Sequence, residues 1–201
     1  MHEKVIGAAA AGIAAFVVWQ YKSINSPPIK ASIACNCGKV QGQVDTPAGM
    51  HIVCYCDDCQ DFANKVCQGK NSPLDSCGGT DIIQMFPADI TFTKGKDQLQ
   101  IGKLKPETKT LRIFASCCNT PMYNTAKDAA FIGLLTSTIR DQVKLPPVQF
   151  RIMSKFALAP VPGASNIVSF GLVLNFFTRC FLYKRRTYPS PVDLTQQTVE
   201  L

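Results

Sequence analysis

The sequence predicts a mainly β protein with helical extensions at both ends, on three observations. From residue 30 to about residue 125, short runs of strand-forming residues are broken by Gly, Pro, Asn and Asp, the pattern of a small antiparallel β domain. The segments on either side are more continuously apolar, as helices that pack on a core or a membrane are. The chain also carries 10 cysteines, several only two or three positions apart, which suits a metal ion gripped by thiolates.

A length of 201 residues leaves room for one sizeable core with extensions, divided here as 1–29, 30–125 and 126–201. The first segment holds the apolar run Val5 to Trp19, too short at 15 residues to span a bilayer, which takes about 20. Two readings stay open for it: a short membrane anchor or a docked apolar helix. A secretory leader is disfavoured by its thin positive start and by the metal-type thiols. Ser26-Pro27-Pro28 cannot continue a helix, because proline lacks the amide donor and restricts the residue before it.

In the central segment, Ile33 to Cys35 and Lys39 to Val44 read as strands around a turn at Asn36 to Gly38. Four more strands follow: Asp81 to Met85, Ile90 to Thr93, Gln98 to Ile101 and Thr110 to Ala115. Between two of them Gly95 is expected to supply the positive φ of a turn. No run here is long enough to suggest an α/β sheet. Beyond Thr125 a helix is expected from Ala129 to Thr138, and another in the apolar stretch Asn166 to Tyr183, which ends at Lys184-Arg185-Arg186. The second is either a buried terminal helix with a solvated basic end or a segment lying in a membrane interface among anionic head groups. From Thr187 the tail, with Pro189 and Pro191, reads as an extended arm.

Charge narrows the partners. The net charge is +7, but the basic residues are scattered apart from Lys184-Arg185-Arg186, so a groove for nucleic acid is not favoured. Charged residues make up 17% of the chain, below the roughly 25% of an average domain, which leaves apolar surface for a membrane or a partner at residues 5–19 and 166–186. Close thiol spacing also implies a reducing, cytoplasmic compartment, with membrane association through those two segments.

The thiols fall into three groups: Cys35-Asn36-Cys37-Gly38, Cys54-Tyr55-Cys56-Asp57-Asp58-Cys59 and Cys117-Cys118. In a strand a Cys-x-Cys pair points both sulfurs to one face, so Cys35 can share an ion with Cys37, and Cys54 with Cys56. Cys59 joins the latter pair through the turn geometry of a zinc knuckle. Cys67 and Cys180 are isolated and read as ordinary buried thiols. His51 is a candidate ligand or acid–base group, or simply a polar residue at a strand end. Asp57 and Asp58 suit either a turn or the orientation of neighbouring ligands.

The ordered set Cys35-Asn36-Cys37-Gly38, Cys54-Tyr55-Cys56-Asp57-Asp58-Cys59-Gln60 and Cys118-Asn119-Thr120-Pro121, with Phe86-Pro87 and Lys94-Gly95 between, resembles the glutathione-dependent formaldehyde-activating enzyme family, which includes centromere protein V. The resemblance spans about Ala31 to Thr125, roughly half of the chain. It implies a zinc-binding β fold like that of methionine sulfoxide reductase B and a Rab-binding zinc chaperone, with one or two Zn2+ ions. One ion would be structural, on Cys35, Cys37 and the third motif. The other would sit on Cys54, Cys56 and Cys59 with a position open for a small thiol such as glutathione.

The chain departs from that pattern at the third motif. Ala115 stands where the family has a cysteine, and Asn119 where it has a glycine. The fourth ligand of the first site is therefore Cys117 or Cys77, and Cys117 can serve beside Cys118 only if the backbone turns there. Three functions follow in order of preference. The first is a carbon–sulfur lyase or synthase acting on a thiol–aldehyde adduct such as S-(hydroxymethyl)glutathione. The second is a non-catalytic zinc module, and the third is thiol redox chemistry at Cys117-Cys118.

Overall fold

The computed structural model describes residues 26–201 except 128 and 129, together with residues 14, 15, 18, 21 and 22. The expected N-terminal apolar helix therefore lies outside the described residues, apart from Ala14, Ala15 and Val18. Eleven strands and two fully delimited α-helices are present among the described residues, and residues 14, 15, 18, 21 and 22 are helical as well. The strands are β1 (Ile29–Ala34), β2 (Gln41–Thr46), β3 (Met50–Cys54), β4 (Thr80–Met85), β5 (Ile90–Lys94), β6 (Leu99–Lys103), β7 (Thr110–Ala115), β8 (Thr120–Ala126), β9 (Ile132–Leu135), β10 (Phe150–Ile152) and β11 (Thr198–Glu200). The helices are α1 (Asp57–Cys67) and α2 (Phe170–Leu182).

Strands β1, β2 and β5 form a small sheet, and the rest form a larger one in the order β10-β3-β4-β9-β8-β7-β6-β11. Strict alternation along β2, with Gly42, Val44 and Thr46 buried and Gln41, Gln43 and Asp45 exposed, gives the small sheet one inner face. That face meets the large sheet across a shared core of Ile33, Val40, Val44, Ile83, Ile113 and Leu134. The opposite face of the large sheet is covered in part by the two helices. Phe62 and Val66 of α1 pack on Phe114, while Leu172 and Phe176 of α2 pack on the group around Ile52, Ile82 and Ile152. Gly95 has the expected positive φ, 67°, and a side chain there would strike the Lys39 carbonyl.

Four expectations need correction. The described residues of the segment read as the helix Ala129 to Thr138 contain strand β9 and a single 3-10 turn, Thr136–Thr138. A short apolar run fits a buried helix or a central strand equally well, and here the hydrogen bonds offered by β4 and β8 on both sides decide it. The large sheet is not wholly antiparallel, for β10 joins β3 and β11 joins β6 in parallel at its two edges. The sheet also takes β9, β10 and β11 from beyond residue 125, so the C-terminal part is helical only at α2 and in short 3-10 turns. The tail is not a free extended arm: Val192 is buried in the main core, and β11 then pairs with the edge of β6.

Candidate metal centres

The hairpin of β1 and β2 turns at Cys35 to Val40. The Gly38 amide donates to the Cys35 carbonyl at 3.1 Å, the Cys35 amide to the Val40 carbonyl at 3.0 Å, and Gly38 has φ of 72°. The Val40 amide also points at Cys35 Sγ, 3.3 Å away. Cys35 and Cys37 therefore share a side because the chain turns between them, and not through strand alternation. A second hairpin, β7 to β8, turns at residues 116–119 with Asn119 at φ of 54°. That turn resolves the question of Cys117 and Cys118, since neighbours in a turn can face one point where neighbours in a strand cannot.

The two turns meet. Cys37 Sγ lies 3.4 Å from Cys117 Sγ, Cys35 Sγ lies 3.6 Å from Cys37 and 3.8 Å from Cys117, and Cys117 lies 3.9 Å from Cys118. All four sulfurs fall within 4.8 Å of one another. A tetrahedral ion with metal–sulfur bonds of about 2.3 Å has sulfur–sulfur edges of about 3.8 Å, so the donor set fits such an ion. Cys77, the other candidate for this group, lies elsewhere, in a turn where its amide donates to Asp75 Oδ1 at 2.8 Å. Ala115 is fully buried and pairs with Leu99 and Thr120 in the sheet.

Cys54, Cys56 and Cys59 form the second group. Cys54 ends β3, and Cys56 is the residue that caps α1, its carbonyl accepting from the amides of Cys59 at 3.1 Å and Gln60 at 3.2 Å. Cys59 sits in the first turn of α1. The knuckle turn expected at Cys56 to Cys59 is thus the start of an 11-residue helix, which the sequence reading missed. Asp57 and Asp58 are in that first turn, where acidic side chains complement the positive end of the helix. Cys54 Sγ and Cys56 Sγ are 3.4 Å apart, with Cys54 and Cys59 buried and Cys56 half-buried.

Arg112, on β7, is the residue the sequence reading overlooked. Its side chain is buried, its Nη1 donates to Cys59 Sγ at 3.6 Å, and its guanidinium lies 5.4 Å from the centre of the Phe62 ring and 4.0 Å from Asp58. A lone Arg amid Leu111, Ile113 and Phe114 was the available signal, because a buried cation needs a partner.

Electrostatics divides the protons within each group. Hydrogen bonds from Cys54 and Cys56 hold the Cys59 thiol well below the ordinary range, aided by Arg112 against the cost of burial. Donation to Cys56 and Cys59 keeps Cys54 protonated, its pKa strongly raised. Cys56 accepts a bond from Cys54, which lowers its pKa, but its own bond to Cys59 and its burial push it up to about 12. In the four-sulfur group, burial and the bonds to Cys37 and Cys35 raise Cys117. Burial acts the same way on Cys118, yet the Thr120 hydroxyl and the Cys37 amide outweigh it and bring Cys118 down to about 6. Cys59 in one group and Cys118 in the other are thus the sulfurs shifted toward thiolate, the form that binds a divalent cation.

His51 belongs to neither group. Its Nδ1 meets the Pro146 carbonyl and its Nε2 meets Asp81 Oδ1, both at 2.6 Å. Cys67, at the end of α1, and Cys180, on α2, also stand apart from both groups.

Two groups of converging cysteine sulfurs on a two-sheet scaffold define the class: a mainly β, cysteine-rich protein equipped to hold metal ions. The chain belongs to a family of unknown function, DUF6151, whose match runs over residues 29–199. Among solved structures it is similar to the crystal structure of a Rhodobacter sphaeroides protein, at 14% identity and a TM-score of 0.42, over 56% of this chain and 90% of that one. No curated protein sequence matches the chain.

Proposed function

We propose that this is a zinc protein of carbon–sulfur chemistry, in which a small thiol such as glutathione enters at Cys54, Cys56 and Cys59 and forms or releases an adduct with an aldehyde such as formaldehyde. The observation that carries the reading is the difference between the groups: four sulfurs gather in one and three in the other. Four protein ligands saturate a tetrahedral ion, whereas three leave a place for a substrate. Zinc held there would supply a soft electrophilic site that lowers the pKa of an incoming thiol and, being already rich in thiolate charge, would favour sulfur over water.

The chain's own residues set the conditions for that binding. Arg112 offsets part of the negative charge at Cys59, and the positive end of α1 offsets more. Cys54 and Cys59 belong to a buried apolar cluster with Met50, Ile52, Phe150 and Ile152, and such surroundings strengthen charge interactions at the thiols. The reaction is an addition: one carbon–sulfur bond forms, the thiol proton leaves and the carbonyl oxygen takes one up, so no oxidant is consumed. The resemblance to the formaldehyde-activating family supports this reading. With it go the methionine sulfoxide reductase B type of fold and a reducing, cytoplasmic setting.

A second reading, a zinc module without catalysis, is favoured by one observation. His51, the acid–base candidate of the sequence, has both ring nitrogens engaged by Asp81 and Pro146. Metal analysis and a glutathione titration of the cobalt-substituted protein separate the two. An ion at each group and a glutathione-dependent change in the cobalt spectrum support the enzyme. A loaded three-sulfur group with no response to thiol removes it and leaves the module.

A further inference from the structure

Helix α2 is turned the wrong way round for a protein that meets only water. Its most deeply buried residues are polar, Asn175 at 0% and Arg179 at 3% exposure. Arg179 Nε donates to Asn175 Oδ1 at 2.6 Å, Nη1 donates to the Ala48 carbonyl and Nη2 lies 3.4 Å from Ser26 Oγ. The outer face is apolar along its length: Phe170, Val173, Leu174, Phe177 and Phe181 recur at helical spacing, and the three Phe are 76%, 64% and 81% exposed. Ile167 and Val168 extend the patch before the helix. Beneath it, an apolar cleft of about 340 Å³ opens between Val168, Phe176 and Phe177 and the sheet at Ile52, Ile82 and Gly133.

We propose that this face docks on a membrane surface containing anionic phospholipid, independently of the thiol chemistry above. Three observations select that occupant. Lys184 and Arg185, both exposed, follow the helix directly, and no Asp or Glu occurs between Asp141 and Asp193. Phosphate head groups complement these two cations, whereas Arg186 beside them is already engaged by Asp89 and the Asp45 carbonyl. At 13 residues α2 is about 20 Å long, well short of a span but suited to lying along the interface with Phe in the acyl boundary and cations outside it. Among the described residues no helix is long and apolar enough to cross a membrane. Tyr188, 68% exposed just beyond the basic turn, fits the aromatic zone of the same interface.

The test is flotation of the full chain with vesicles of phosphatidylcholine alone and with phosphatidylserine added. The protein should float with the anionic vesicles and be released by salt. Lys184→Gln with Arg185→Gln should weaken partitioning about 30-fold, and Phe177→Ser with Phe181→Ser should abolish it while leaving the thermal melt and metal content unchanged. Because residues 5–19 remain in every variant, the readout is the preference for anionic over phosphatidylcholine vesicles, and an undiminished preference in the Phe double variant overturns the proposal. A wild-type dimer that does not float, and that the same substitutions dissociate, overturns it in favour of self-association. Phe177→Trp in a Trp19→Phe background gives a second readout that needs no disruptive change: emission should shift to the blue on anionic vesicles, and an unchanged spectrum rejects the docking.

Discussion

The sulfurs of Cys37 and Cys117 lie 3.4 Å apart although 80 residues separate them. One belongs to the turn of the β1–β2 hairpin in the small sheet, the other to the turn of the β7–β8 hairpin in the large sheet. An ion held by this group would pin the two sheets to each other at one end of their shared core.

Cys117→Ser should therefore act on stability more than on thiol binding. With one ligand lost from a structural site, a cost of about 3 kcal/mol would lower the melting temperature by about 10 °C in a domain of this size. Thermal melts with parallel metal analysis check this. The metal at Cys54, Cys56 and Cys59 should persist, and simultaneous loss of all metal would mean that the seven thiols act as one site.

Arg112→Met should weaken metal binding at the three-sulfur group by about 10- to 100-fold, the usual effect of removing a residue that supports a ligand. Arg112→Lys keeps the charge but not the planar fork, and should fall between Met and wild type. Competition with a chromophoric chelator measures both, and equal affinities for all three proteins would rule out a role for Arg112 at the site.

His51 makes stability depend on pH in a stated direction. Burial opposes its charge, but the Asp81 carboxylate and the Pro146 carbonyl outweigh that cost, and its pKa is raised above the ordinary value of about 6.5. A raised folded-state pKa means that the native chain holds the proton more tightly than the unfolded one. This stabilisation is fully present below about pH 6.5 and is lost as pH rises through the folded value. The melting temperature of wild type minus that of His51→Gln, followed from pH 5 to 9, should shrink with rising pH, and a flat difference would contradict the assignment.

Arg179→Ala should destabilise the chain by about 2–4 kcal/mol, since it strips hydrogen bonds from a buried polar cluster that includes Asn175 and the Ala48 carbonyl. Phe177→Ser, on the same helix but facing out, should change stability in water by about 0.5 kcal/mol or less. Chemical denaturation of the two variants side by side tests the orientation of α2, and the reverse order of costs would refute it.

Local signals were legible in the sequence where each residue answers to its near neighbours. The strands at β2, β4, β5, β6 and β7, the end of β1, the turn at Gly95 and the apolar helix near Asn166 to Tyr183 all rest on alternation, turn residues or composition within about ten positions. The pairing of Cys35 with Cys37 was legible from spacing, whereas the expectation that Cys118 joins them came only from the family resemblance. Helix α1 was not, because its apolar residues are few and its first turn looks like a loop of Cys and Asp. Strand β9 was not, because Ile132 to Leu135 is apolar on both faces and carries no period to read.

By itself, then, the sequence determined that the chain is mainly β, that its thiols are spaced for a metal and that its C-terminal helix is apolar. Tertiary structure alone decided that Cys117 turns inward beside Cys118, that Arg112 reaches Cys59, and that α2 buries Arg179 while presenting Phe177 and Phe181 outward. The reason is physical. Composition and spacing fix what a segment can pair with, but which sulfur faces which, and which side of a helix meets solvent, depends on contacts between residues far apart in the chain, such as Arg112 with Cys59 at a separation of 53 and Arg179 with Ser26 at 153.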